Sequence, residues 1–163
     1  MEMYRCKGCG YVHVGPAPDR CPVCGAPQTF FLPYEGPGDL TGSRTLENLQ
    51  AAFAGESQAN RRYTLFARIA ELEEDAAAQA AFERALAEET AHALGHLAYM
   101  GAFGSTAENL ATAVAGEDHE TVDMYPSFAQ IAEDEGYPEI AQYFRAVGGY
   151  ERQHRDAFKK ALG

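Results

Sequence analysis

Positive charge is scarce in this sequence: 13 lysines and arginines face 24 aspartates and glutamates, for a formal net charge of −11. A surface of that sign repels phosphate backbones and anionic headgroups, so neither nucleic acid nor membrane is expected as a partner. Bound cations would cancel part of the −11. Long apolar runs are also missing. None approaches the roughly 20 residues that span a bilayer, and the opening MEMYRCKGCG has neither the basic nor the apolar region of a signal peptide. The expected location is therefore cytoplasmic and reducing. Cysteine is absent beyond position 24, its four copies being Cys6, Cys9, Cys21 and Cys24. In a reducing compartment such clustering favours a metal over disulfides. With 46% hydrophobic and 23% charged residues, the chain has a globular composition.

Residues 1–34 are crowded with Gly and Pro, so no helical period establishes itself there. EGPGDLTGSR, residues 35–44, reads as a linker, and from Thr45 the composition turns to Ala, Glu and Leu. The expected organisation is a four-cysteine module over 1–34, the linker, and a helical domain over 45–163. Four helices are expected in it: about Thr45–Glu74, Ala76–Met100, Thr106–Glu135 and Pro138–Leu162.

The helical part repeats itself. TLENLQAAFAGE (Thr45–Glu56) matches TAENLATAVAGE (Thr106–Glu117) at an offset of 61. Tyr63, Phe66 and Ala67 match Tyr125, Phe128 and Ala129 at 62, as do Phe82, Glu89 and His92 with Phe144, Glu151 and His154. The domain reads as a duplicated helix pair. The extra residue falls between Glu117 and Tyr125, and one insertion in a helix is the usual origin of a π-bulge. A bulge is expected there, with Glu120 inside it.

On each expected helix, acidic residues occupy the apolar stripe. Ile140, Phe144, Val147, Glu151, His154 and Phe158 step by 4, 3, 4, 3, 4, which is one face. Glu56 falls in the stripe of helix 1, Glu89 and His92 in that of helix 2, and Glu117 and Glu120 in that of helix 3. Buried carboxylates cost several kcal/mol each and repel one another, and these stripes hold too few Lys and Arg to neutralise them. Metal cations are the remaining counter-charge. The arrangement matches bundle metal sites that take one Glu from each of two helices and a Glu-x-x-His from each of the others. Here those are Glu56 and Glu117, with Glu89-Thr-Ala-His92 and Glu151-Arg-Gln-His154. His13, His96 and His119 carry no such pattern and read as surface or packing residues, while Glu108 and Glu133 read as solvated.

Cys6-Lys-Gly-Cys9 and Cys21-Pro-Val-Cys24 form two Cys-x-x-Cys arms around one tetrahedral ion, with Gly10 and Gly25 allowing tight turns. Spacing alone leaves zinc and iron both open.

Taken together, CGYVHVG, APDRCPVCGAP, GESQANRRYTLFA, EETAH, AGEDHETVDMYPSFAQIAEDEG and ERQH resemble rubrerythrin from Cys6 onward. The four-cysteine module comes first here, as in the reverse type. The resemblance implies a mostly α fold: a ferritin-like four-helix bundle with a small N-terminal rubredoxin-like knuckle. It implies a di-iron centre and one iron in the four-cysteine site, with zinc as a substitute. Glu89 and Glu151 would bridge the irons, Glu56 would be terminal on one, and Glu117 and His154 would serve the other. Glu120 and His92 would be alternative ligands, carboxylate when oxidised and imidazole when reduced, and Tyr63 and Tyr125 would donate hydrogen bonds nearby. The implied activity is reduction of hydrogen peroxide to water in oxidative-stress defence. Electrons would come from rubredoxin or an NAD(P)H-dependent flavoprotein reductase, in a homodimer or higher homo-oligomer. The rival readings are an O2 reductase, a ferroxidase or other iron-handling protein, and a zinc-bearing scaffold.

Overall fold

A computed structural model describes all residues, Met1–Gly163. Its contacts divide the chain into two compact units, Met1–Ala102 and Phe103–Gly163.

The first unit begins with three short strands, β1 (Met3–Cys6), β2 (Val12–Val14) and β3 (Phe31–Pro33), in the antiparallel order β2-β1-β3. Met3 pairs with Val14 and Cys6 with Phe31. Its core is a cluster of Cys6, Tyr11, Cys21 and Phe31, too few apolar groups to hold a module of this size without a staple. Helix α1 (Arg44–Leu72) starts at Ser43, whose hydroxyl accepts the Leu46 N–H at 3.1 Å. Helix α2 (Ala76–Met100) starts at Asp75, which accepts the Ala78 N–H at 2.9 Å, and ends at Gly101 with φ 61°. The turn between them holds Glu74 at φ 60°, a left-handed conformation normally left to glycine. The buried helical positions are small: Ala67, Ala70, Ala91, Gly95 and Ala98. One is polar. Asn60 donates to the Leu86 carbonyl at 3.0 Å and to the Thr90 hydroxyl at 2.8 Å, tying α1 to α2.

In the second unit, α3 (Thr106–His119) opens with a reciprocal cap: the Ser105 N–H donates to Glu108 at 2.8 Å, and the Glu108 N–H to the Ser105 hydroxyl at 3.3 Å. Glu108 is thus a cap rather than merely solvated. A π turn (Glu120–Met124) follows, then α4 (Tyr125–Asp134) and α5 (Pro138–Leu162). The helix expected over Thr106–Glu135 is therefore interrupted where the repeat offset changes, because the inserted residue widens one turn. Pro126 is the second residue of α4, and its missing N–H suits a position where the regular ladder is already broken.

The duplication survives in three dimensions. Tyr63, Phe66 and Phe82 meet in one aromatic trio, Tyr125, Phe128 and Phe144 in the other, with closest centroids 5.5 Å and 5.7 Å apart. Ala67 and Ala70 are buried, and so are Ala129 and Ala132. The helices α1, α2, α3–α4 and α5 are the four of a ferritin-like fold, and none is long and apolar enough to cross a membrane.

Candidate metal centres

The sulfurs of Cys6 and Cys24 lie 3.8 Å apart and those of Cys9 and Cys21 3.6 Å. A tetrahedral ion with bonds of about 2.3 Å spaces its sulfurs about 3.8 Å apart, so the cage already has the right size. Gly8 belongs to it: a Cβ there would sit 3.3 Å from the Cys24 sulfur and 3.6 Å from that of Cys6. Burial pushes against ionisation of the Cys6 thiol, but the backbone N–H groups of Cys9 and Gly8 and hydrogen bonds with Cys24 and Cys21 outweigh it and bring that thiol down to about 7. Cys9 is pushed up to about 12 by burial and by Cys24 and Cys21 beside it. Cys21 is raised by burial as well. The cage cannot hold four thiolates without a cation to balance them.

Each helix pair brings together one carboxylate–imidazole trio: Glu56, Glu89 and His92 in the first, Glu117, Glu151 and His154 in the second, with donor atoms within 4.8 Å of one another. His92 Nδ1 lies 3.1 Å from Glu89 and 3.9 Å from Glu56. His154 Nδ1 lies 2.7 Å from Glu151 and 3.9 Å from Glu117. A cation with bonds near 2.1 Å needs neighbouring donors roughly 3–4 Å apart, and three of the four imidazole–carboxylate distances fall in that range, the fourth, His154 to Glu151, being shorter. The four glutamate side chains are 15–30% exposed and His154 is 57% exposed, so the stripes are half-buried rather than wholly core. One oxygen of Glu117 is buried with no hydrogen-bond partner, as befits a donor reserved for a cation.

Electrostatics tell the same story. Sharing a hydrogen bond with Glu89 raises the Glu56 carboxyl, with burial adding to it. Glu89 is lowered by that hydrogen bond and by His92. Burial and the Glu151 and Glu120 charges raise Glu117.

Glu120 is in neither trio; it starts the π turn, and its charge, after burial, pushes the Tyr125 phenol up. Tyr125 therefore keeps its proton at neutral pH. Tyr63 takes the matching place in the first aromatic trio. His119 lies exposed beside Asp123, and His13 meets the Tyr11 hydroxyl at 3.3 Å. Glu133 pairs with Arg145. His96, with Cys9, Glu56, His92 and Tyr99, lines one cavity of about 370 Å³. Asn60 and Tyr99 escaped the sequence reading. Tyr99, seven residues after His92, repeats at two helical turns and was legible as sharing its face.

Comparison with known proteins agrees. The family model described as rubrerythrin matches residues 47–162, and that of the rubrerythrin rubredoxin-like domain matches residues 4–31. The chain is 41% identical to the rubrerythrin of Porphyromonas gingivalis over 136 residues, covering 76% of this chain and 68% of that one. It is 39% identical to the rubrerythrin of Nitratidesulfovibrio vulgaris over 132 residues, covering 73% and 69%. Against reverse rubrerythrin-1 of Clostridium acetobutylicum it is 28% identical over 177 residues, covering 99% and 97%.

Proposed function

From the premise that the chain belongs to the rubrerythrin family, with its rubredoxin-like module first as in the reverse type, we propose that it reduces hydrogen peroxide to water with electrons relayed through the four-cysteine iron. The family's cofactors fit the residues present: thiolates at tetrahedral spacing for one iron, and two carboxylate–imidazole trios for a di-iron centre. We assign Glu56, Glu89, His92, Glu117, Glu120, Glu151 and His154 as the donors of that centre, and Cys6, Cys9, Cys21 and Cys24 as those of the relay. Residues 1–34 form the relay module, 35–44 the linker and 45–163 the di-iron domain.

A di-iron centre held by these donors would supply the two electrons that peroxide needs and would act as a Lewis acid toward it. The chain's own groups do the rest. Tyr125 holds a proton at Oη that its buried, acidic surroundings keep in place, and Tyr63 is its counterpart in the other aromatic trio. Glu120 and His92 would serve as alternative ligands, an anionic oxygen suiting a ferric ion and a neutral nitrogen a ferrous one. Glu120 has no acidic partner in the duplicated half, so the π turn adds a donor that the first helix pair lacks. The knuckle is recharged one electron at a time by rubredoxin or an NAD(P)H-linked flavoprotein.

The observation that carries this reading is that Cys9 of the sulfur cage lines the same cavity as Glu56 and His92 of a carboxylate–imidazole trio. An iron-storing protein needs no such relay. Stopped-flow mixing of fully reduced protein with peroxide and, separately, O2 tests it through the absorbance of the thiolate-bound iron. Faster oxidation by peroxide is expected, and oxidation no faster than by O2 would remove the peroxidase assignment.

A further inference from the structure

The knuckle and α2 meet through contacts whose chemistry is specific. The Tyr99 hydroxyl donates to the carbonyl of Gly10, the residue after Cys9, at 2.5 Å. The Tyr34 ring meets Tyr99 edge-on, with centroids 5.9 Å apart. One turn earlier, Gly95 lies under the Tyr11 ring, and a Cβ there would come within 3.1 Å of it. Glycine costs about 1 kcal/mol in a helix interior, and here it admits the knuckle. From Gly95 and Tyr99 the same face of α2 leads through His96 to His92, seven residues or about 10 Å along the axis from Tyr99. Burial and the Tyr34 phenol push the Tyr99 phenol up, so it remains a donor at neutral pH.

We infer that electrons pass from the four-cysteine iron to the Glu56–Glu89–His92 trio of the same chain, and that Tyr99 is the residue that positions this route by holding the Gly10 carbonyl. The covalent step from the Cys9 sulfur to the Gly10 carbonyl and the hydrogen bond to Tyr99 connect the relay to α2. Cys9 of the cage lines the same cavity as His92 and Glu56. One electron moves per step: the thiolate-held iron goes from ferrous to ferric and a ferric ion at the trio becomes ferrous, with no bond broken. Two such steps restore what one peroxide removes, and its two oxygens leave as two waters after taking up two protons. The inference rests on the relay role proposed above and adds its route.

Mixed oligomers test the route. One chain carries Cys9→Ser and Cys24→Ser, so that it lacks the relay iron. The other carries Glu89→Ala and His92→Ala, so that it keeps the relay and loses the first trio. Refolded together, they are expected to show no rapid peroxide-driven oxidation of the thiolate iron, because relay and trio never share a chain. Recovery to within about twofold of wild type would overturn the route. Failure of wild type itself to oxidise its thiolate iron would instead overturn the relay.

Tyr99→Phe, with iron content and midpoint potential measured alongside, is expected to slow thiolate-iron oxidation severalfold at unchanged potential. Unchanged rate would remove Tyr99. A second readout needs no turnover. Cobalt(II) in the four-cysteine site of protein carrying Glu89→Ala and Glu151→Ala is expected to broaden the His92 and His96 ring signals in NMR, and Tyr99→Phe to relieve the broadening. Sharp signals in the parent protein would contradict the docking.

Discussion

Gly148 and Gly149 are neighbours in α5, and only at Gly149 is replacement by alanine expected to raise stability. A Cβ on Gly148 would lie 3.1 Å from the Cβ of Tyr125, whereas one on Gly149 would meet nothing within 4 Å. Ordinary carbon contacts fall near 3.5–4.0 Å. The clash at Gly148 is with a Cβ fixed to its backbone, so no rotamer change relieves it and the π turn or α5 must shift. Overpacking of this kind costs about 1–3 kcal/mol, and alanine in place of helical glycine returns about 0.8–1.0 kcal/mol. Gly148→Ala should therefore be neutral to about 2 kcal/mol destabilising, and Gly149→Ala about 1 kcal/mol stabilising. In thermal unfolding of the zinc-loaded protein the second variant should melt roughly 2–4 °C above wild type and the first at or below it. Gly148→Ala should also slow peroxide turnover by displacing Tyr125, while Gly149→Ala leaves it unchanged. Both variants melting together above wild type would refute the close approach.

Further outcomes follow from other parts of the molecule. Glu74 sits at φ 60° where its counterpart in the repeat, Gly136, sits at φ 84°, so Glu74→Gly should relieve left-handed strain and stabilise by up to about 1 kcal/mol in urea unfolding; a loss of stability would contradict this. In metal-free protein at pH 7 Cys9 and Cys21, both pushed up, carry protons, and Cys6 at about 7 is half protonated. Adding zinc in weakly buffered solution should release at least about two protons per ion, and affinity should fall as pH drops below 7 and rise above it; an indicator dye reporting no release would show the cage preformed as thiolates. Glu120→Ala should slow peroxide turnover by about tenfold or more with little loss of iron, and unchanged turnover would remove it from the mechanism.

Much of this was legible in the sequence because duplication repeats its signals. A single Glu-x-x-His says little, but Glu89/His92 and Glu151/His154 at one offset, each with an acidic partner, left few alternatives. The offset change located the π turn because an inserted residue in a helix has nowhere else to go. What was not legible depends on non-local contact. The alanines and glycines that take the buried helical positions look like filler in sequence, yet their smallness sets how closely elements approach. The stripes were read as core, although Ile140 and His154 are exposed in the chain. Tyr99 meets a residue 89 positions away, which no periodicity reveals.

Counting iron by Mössbauer spectroscopy after anaerobic reconstitution tests most directly whether the half-buried glutamates exist to hold metal. The account predicts about three irons per chain, one with a thiolate signature and two of carboxylate type, with the carboxylate pair lost and the thiolate iron kept in the Glu89→Ala, Glu151→Ala protein. A single thiolate-type iron in wild type, or a carboxylate signal that survives both substitutions, would contradict it.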